Sequence, residues 1–228
     1  MYGTTTINYR DASQVNTAMG RVYFHMFLAV LTSMLVSYFV GTSEELIKFF
    51  FTGVMKWIVI FAPLVAVFGI SFALEADPPA PLAIGLLHGF AALMGLSFAT
   101  IFVIFTLGSI FNAFMGAAVL FGVMSGYGYF TKQSLDSIGK YCFIALIAIC
   151  IASIINIFIG STAFQMVISA LAIIIFLGLT AYDTQQIREM ISEEVGVTAE
   201  IKGALTLYLD FINLFINLLQ IFGLKRDD

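Results

Sequence analysis

The chain alternates between long apolar segments and short polar or charged ones. No Asp, Glu, Lys or Arg occurs from 78 to 131 or from 141 to 182. About 20 apolar residues cross a bilayer as a helix, so each of these stretches predicts two transmembrane helices. We expect the helices to break near 106–109 and at Gly160-Ser-Thr, where small and polar residues interrupt the apolar pattern.

The whole pattern predicts an all-α, polytopic membrane protein, with residues 1–228 forming a single seven-helix transmembrane domain. A polar N-terminal arm is predicted at 1–20 and a charged connector at 184–202. The seven predicted spans are 22–40, 56–74, 82–105, 110–130, 141–159, 163–182 and 203–223.

The last span, GALTLYLDFINLFINLLQIFG, carries polar residues at helical spacing. Its polar positions follow a 4-3-4-3 pattern, which places them on one face of a helix. They are Thr206, Asp210, Asn213, Asn217 and Gln220. Polar groups in hydrocarbon cost several kcal/mol (about 2–7) unless they find partners. The stripe therefore predicts a helix in the core of a bundle, although it is also compatible with hydrogen bonds that only hold helices together.

Composition strengthens the membrane prediction. The chain is 61% hydrophobic and 11% charged, with a mean hydropathy of +1.01, whereas a soluble domain carries about 25% charged residues. Cys142 and Cys150 are eight residues apart on one apolar segment, too far for an intrahelical disulfide. The sequence offers no removable signal peptide, metal-binding cysteine cluster, phosphate-binding loop or basic nucleic-acid patch. We expect a lipid bilayer and no nucleic acid as partner.

The orientation signal is weak. With the N-terminus inside and seven crossings, six Lys or Arg residues fall inside and four outside, which slightly favours this orientation. A re-entrant last helix would change the ratio to eight against two. Both possibilities are open at this point.

Two aspartates stand out at the membrane boundary. Asp183 closes the predicted sixth span, and Asp210 lies about two turns into the seventh. Consecutive helices form an antiparallel hairpin, so both carboxylates fall at similar depth. Two close carboxylates tend to share a proton, which predicts a pH-dependent latch, and they are equally a candidate Ca²⁺ site. Alone, Asp183 would be interpreted as an ordinary helix-end residue.

The two histidines, His25 and His88, are predicted near the same face as the aspartates. A lone membrane histidine is more often a packing residue than a proton relay, but at this depth it could tune the acidic pair. Small residues at spacings of four, Gly85 with Gly89 and Ala118 with Gly122 and Gly126, predict close helix contacts.

Two segments resemble a known family. GLTAYDTQQI (178–187) and ALTLYLDFINLFINLLQIFG (204–223) are similar to the two signature segments of the Bax inhibitor family, the transmembrane Bax-inhibitor-motif proteins. The resemblance covers nearly the whole chain and indicates a bacterial member, located in the inner membrane. It implies six helices around a central seventh and a pH-sensitive calcium leak channel without cofactor, with calcium ions and protons as its partners. The family's acidic pair would correspond to Asp183 and Asp210.

One feature departs from the family pattern. The resemblance implies a basic residue near the inner end of the second helix that pairs with the acidic pair. Here that helix ends with Glu75 and Asp77 instead. Our hypothesis is that His88 serves as the latch, with Arg21 as the alternative.

Other functions remain as alternatives. The main alternative is a regulatory membrane protein that transports nothing itself and binds another membrane protein, such as a quality-control protease. An intramembrane aspartyl protease is disfavoured because Asp210 follows Leu-Tyr-Leu and lacks a Gly-x-Gly-Asp turn. A retinal pigment is disfavoured because the last helix holds no lysine before Lys225. We therefore expect no enzymatic activity and no catalytic residue.

Overall fold

The computed structural model describes residues 10–226, and almost all of them are helical. The helices, in chain order, are α1 (Ala12–Gly41), α2 (Glu44–Phe51), α3 (Met55–Glu75), α4 (Ala80–Ser97), α5 (Ile101–Ile104), α6 (Leu107–Phe130), α7 (Asp136–Ile159), α8 (Thr162–Glu193) and α9 (Val197–Phe222). A short 3₁₀ turn, Phe98–Thr100, joins α4 to α5.

Seven helical segments are long and apolar enough to cross a membrane, which confirms the predicted number of spans. They are α1, α3, α4 with α5, α6, α7, α8 and α9. The remaining helix, α2, is a short one capped by the Ser43 side chain. Pro63 lies inside α3 without ending it.

The helices extend further than the hydropathy pattern indicates. α1 begins at Ala12, where the Asp11 and Gln14 side chains form a capping box, so most of the described part of the predicted 1–20 arm is helical. Residues 1–9 lie outside the described part. At the other end, α8 continues to Glu193 and α9 begins at Val197. The predicted 184–202 connector is therefore mostly helix, with a loop at 194–196, because charged residues can extend a transmembrane helix beyond the bilayer.

The helices differ in how much neighbouring protein covers them. α9 packs against α1, α3, α4, α6 and α8, while α7 packs along α8. Half of the residues in an 18-residue apolar stretch of α9 are buried, against 6% in the corresponding stretch of α7. The polar last helix thus has the most protein contact. The arrangement of six helices around it remains a prediction.

Close helix approaches occur at glycines other than the predicted ones. A Cβ built on Gly95 would lie 2.5 Å from the Ser33 carbonyl oxygen, and one on Gly128 would lie 2.1 Å from that of Ala181. The predicted glycines have nothing within 4 Å of such a Cβ: Gly85, Gly89, Gly122 and Gly126. The spacing prediction was wrong there because these positions face away from neighbouring helices.

The chain after α9 shows that this helix crosses the whole bundle. The Thr106 amide donates to the Leu224 carbonyl (3.1 Å), and the Arg226 amide donates to the Ile104 carbonyl (2.9 Å). This loop lies at the opposite end of the bundle from the start of α1. We call the end where α1 begins the N-terminal face. With α9 as a full crossing, the Lys and Arg count is six on this face against four on the other, which favours it as the cytoplasmic face.

Candidate functional site

Asp183 and Asp210 come together between α8 and α9. Both side chains line the same cleft, and their carboxyl groups are near enough to interact electrostatically. Asp210 is 4% exposed, and its Oδ2 is a buried oxygen without a hydrogen-bond partner among the described residues. Asp183 is half-buried. Two carboxyl groups close together in a buried site ionise together less readily than isolated ones.

The antiparallel hairpin is what brings the two carboxyl groups to one level. Asp183 lies ten residues before the end of α8, and Asp210 lies thirteen residues after the start of α9. At the standard helical rise these distances correspond to about 15 Å and about 20 Å from the connecting loop. Asp183 is therefore inside a helix rather than at its end, and the helix-end interpretation does not describe it.

A cleft of about 1260 Å³ leads to the pair from the side of the bundle. α3 and α4 line one side, α7 the other, and α8 and α9 form its floor. Leu64 on α3 is 59% exposed, and Phe143 and Ile144 on α7 are 59% and 64% exposed, so the cleft opens at the bundle surface between these helices. Its polar lining residues are Ser137, Lys140, Asp183, Thr206, Asp210 and Asn213.

The stripe on α9 divides into parts with different surroundings. Thr206 and Asn213 line the cleft beside Asp210. The Asn213 and Asn217 amides donate to the carbonyls four residues earlier in their own helix, at 2.8 Å each. Gln220 instead accepts from the Gln165 amide of α8 (2.9 Å). The hydrogen bonds of the other described stripe side chains stay within α9, whereas the bond between Gln165 and Gln220 joins α9 to α8.

The other predicted site residues lie elsewhere. His88 Nδ1 is 3.0 Å from the Thr32 hydroxyl, and His25 Nδ1 is buried without a hydrogen-bond partner among the described residues. Arg21 binds Glu200. None of these three basic residues lines the cleft that holds the carboxyl pair. Their proposed role as latch or tuning group stays a prediction.

Two lysines that the sequence did not assign lie nearer to the pair. Lys140 lines the large cleft. Lys202 and Asp183 line a smaller cavity of about 290 Å³, and the Lys202 ammonium is 3.6 Å from a carboxylate oxygen of Glu75 on α3. No sequence pattern pointed to these lysines, because their position beside the pair depends on how the helices pack.

A buried ion cluster at the N-terminal face was also missed. Glu200 is 1% exposed. Its carboxylate accepts from Arg21 Nε at 2.7 Å and Arg21 Nη2 at 2.5 Å, and from Arg10 Nη2 at 3.1 Å. Glu200 lies in the predicted charged connector, outside the polar stripe, so no sequence pattern marked it as buried.

The carboxyl pair by itself supplies few ligands for a metal ion. Within residues 10–226 no group of three or more His, Cys, Asp or Glu side chains is placed to hold a metal ion. Two carboxylates with neighbouring Thr206 and Asn213 oxygens could attract a hydrated cation, since Ca²⁺ prefers oxygen ligands and tolerates water among them.

Comparisons with known proteins show what the chain as a whole is similar to. The family described as "Inhibitor of apoptosis-promoting Bax1" (Bax1-I) matches residues 15–227. The "Inner membrane protein YbhL" of Escherichia coli K12 is 36% identical over 219 residues, which is 93% of each chain. A protein of Deinococcus radiodurans is 36% identical over 96% of this chain and 94% of its own. Protein RP147 of Rickettsia prowazekii is 34% identical over 98% and 96%. With seven apolar helices, this is a multi-pass bacterial inner membrane protein.

Proposed function

The chain belongs to the Bax inhibitor family, and from that premise we propose that it is a pH-sensitive, calcium-permeable leak channel. The observation that supports this proposal is the contact between Asp183 and Asp210 at the floor of an open cleft. Two carboxyl groups in contact, one of them fully enclosed, form a group whose charge and geometry depend on one proton.

A shared proton holds the closed state. With the proton present, one carboxyl group donates to the other, and α8 and α9 are held together at this level. When the proton leaves, two negative charges face each other. Unit charges about 4 Å apart repel by about 4 kcal/mol at an effective dielectric constant of about 20. That approaches the roughly 5.5 kcal/mol that moves a two-state equilibrium from 1:99 to 99:1, so proton loss favours separation of the two helices.

The separated carboxylates then attract calcium. The cleft extends from Ser137 and Lys140, near the N-terminal face, to the pair, and the carboxamide oxygens of Asn213, Asn217 and Gln220 continue along α9 toward the opposite face. Calcium favours carboxylate and carboxamide oxygens and accepts incomplete coordination with water. A stripe of such oxygens offers the ion a sequence of weak positions, which conduction requires.

The proposal is tested by calcium flux into dye-loaded proteoliposomes from about pH 5 to about pH 8, a range in which interacting carboxyl pairs titrate. We expect wild-type flux to rise with pH. The double variant Asp183→Asn/Asp210→Asn should lose this pH dependence, because carboxamides do not titrate.

Asp77→Asn is a matched control. It removes one exposed carboxylate from the loop after α3, and asparagine tolerates the positive φ of 46° at this position. It should keep the wild-type pH profile. Flux no greater than that of empty liposomes at every pH, from protein that is folded and monodisperse, would refute the channel proposal.

The second candidate is a regulatory protein that binds another membrane protein, such as a quality-control protease. The exposure of α7 favours this candidate. α7 packs along α8, and only 6% of the residues in its 18-residue apolar stretch are buried. An outward helix face of this kind is available to a partner helix in the bilayer. In this case the cellular function would survive Asp183→Asn/Asp210→Asn.

A further inference from the structure

A basic pocket of about 380 Å³ lies at the N-terminal face, away from the carboxyl pair. It is formed where the start of α1, the end of α6 and the last turns of α8 meet. Three of its lining residues are basic and one, Glu189, is acidic. The basic residues are Arg10, Lys132 and Arg188.

Arg10 lines this pocket and also a neighbouring pocket that Asp11 and Arg21 line. Its side chain is 8% exposed, and its Nη2 binds the Glu200 carboxylate at 3.1 Å. Its backbone amide donates to the Ser192 carbonyl at 3.1 Å. Its Nη1 is buried and has no hydrogen-bond partner among the described residues. A buried guanidinium nitrogen without an acceptor is costly, and a ligand oxygen that reaches it removes that cost.

Arg188 is fixed on the other side of the pocket. Its Nη1 donates to the Tyr129 carbonyl at 2.9 Å, and its guanidinium carbon lies 5.1 Å from the centre of the Tyr129 ring. The Tyr129 hydroxyl in turn donates to Asn16. These contacts position Arg188 and leave its other N–H groups available. Lys132 is exposed at the start of the α6–α7 loop, and no ion pair holds it within the described residues.

We propose that this pocket binds the phosphate group of an anionic phospholipid. Arginine presents a planar fork of donors that matches phosphate oxygens, and lysine adds a mobile positive charge. Basic pockets between transmembrane helices on the cytoplasmic side are suited to such headgroups. The N-terminal face carries six Lys or Arg residues, three of them in this pocket, against four on the other face, which slightly favours it as the cytoplasmic side.

The surroundings favour a lipid over a free phosphate ion. Phe130, two residues before Lys132, is 79% exposed, and Tyr127 is 47% exposed one turn earlier. Val123 and Val119 continue this exposed apolar face along α6, at 63% and 61% exposure. An acyl chain can lie along this face while its headgroup reaches the pocket. A free phosphate ion would gain nothing from these residues.

The test measures lipid binding by native mass spectrometry of the full chain released from detergent micelles. Phosphatidylglycerol and phosphatidylcholine are titrated separately. We expect phosphatidylglycerol to bind at least about tenfold more tightly. Each basic residue near an anionic headgroup contributes about a fivefold gain in affinity. Lys132→Ala should therefore lower phosphatidylglycerol affinity about fivefold, and Lys132→Ala/Arg188→Ala by more.

Arg188→Lys distinguishes the effect of positive charge at this position from the effect of the planar guanidinium group. It keeps the positive charge but loses the fork, so its affinity should lie between those of wild type and Arg188→Ala. Lys48→Ala is the matched control, because it removes an exposed lysine at the opposite face. It should leave binding unchanged.

Three outcomes would overturn the proposal. One is equal binding of the two lipids, and another is unchanged phosphatidylglycerol binding by Lys132→Ala/Arg188→Ala. The third comes from a competition arm with inorganic phosphate. If millimolar phosphate displaces phosphatidylglycerol and binds as tightly by itself, the site takes free phosphate and the lipid assignment is wrong. Calcium flux plays no part in any readout, so the result is independent of the proposed channel function.

Discussion

Two buried carboxylates on the same helix have opposite electrostatic surroundings. Glu200, near the start of α9, is 1% exposed and is bound by the guanidinium groups of Arg10 and Arg21. Asp210, ten residues further along, is 4% exposed and faces the carboxyl group of Asp183. Two guanidinium groups neutralise the first charge, whereas the second carboxyl group faces another acid. The first site is a paired ion cluster, and the second is the one to which the proposed function assigns the response to pH.

The largest expected effect on stability comes from removing the charge of Glu200. Glu200→Gln leaves Arg10, whose side chain is 8% exposed, without a countercharge. Removing one partner of a buried ion pair costs about 3–5 kcal/mol. We expect a clear fall in the thermal unfolding midpoint in detergent, measured by size-exclusion chromatography after heating. Glu44→Gln, which breaks an exposed ion pair with Lys48, should change stability by less than about 1 kcal/mol. If Glu200→Gln and Glu44→Gln lowered the unfolding midpoint equally, the buried ion cluster would contribute no more to stability than an exposed ion pair.

The second effect concerns the close contact between α6 and α8. Gly128→Ala would drive a methyl group against the Ala181 backbone, two residues before Asp183. Overpacking of this kind costs about 1–3 kcal/mol, and we expect it to displace α8 and weaken the pH response of calcium flux. Gly126→Ala is the control, because nothing lies within 4 Å of a Cβ there. Similar unfolding temperatures for both variants would show that α6 and α8 have room to separate.

The third effect is a change in how stability depends on pH. The shared proton stabilises the contact between Asp183 and Asp210, so raising the pH from about 5 to about 8 should lower wild-type stability as that proton is lost. Asp210→Asn keeps a donor opposite Asp183 and cannot become charged. It should leave stability unchanged or slightly raised and flatten its pH dependence. A variant that kept the wild-type slope in thermal unfolding would show that other groups carry it.

The smallest effect is expected at Lys202. Its ion pair with Glu75 is 3.6 Å long and the glutamate is 75% exposed, so Lys202→Gln should alter stability by less than about 1 kcal/mol. Because Lys202 shares a cavity with Asp183, removing its charge should make proton loss from the pair harder and move the flux profile to higher pH. Lys225→Gln, at the opposite face, should leave the profile in place.

The sequence by itself determined the class of protein and most of the helices. Hydropathy over about 20 residues is a local property, so seven spans could be counted without knowing how they pack. The polar stripe marked α9, and the hairpin between two consecutive spans indicated that Asp183 and Asp210 lie at one level. Charged residues at 184–202 hid the extent of α8 and α9, because hydropathy does not distinguish a helix that continues into water from a loop.

Only the tertiary structure decided the partners of each charged and small residue. Glu200 lies 190 residues from Arg10 and 179 from Arg21, and nothing local in either segment specifies such a pair. The same holds for Gly128 against Ala181 and for His88 beside Thr32. Helical period tells which residues share a face, but the neighbour that this face meets depends on the packing of the whole bundle. That packing gives Glu200 two cations and gives Asp210 a second carboxyl group.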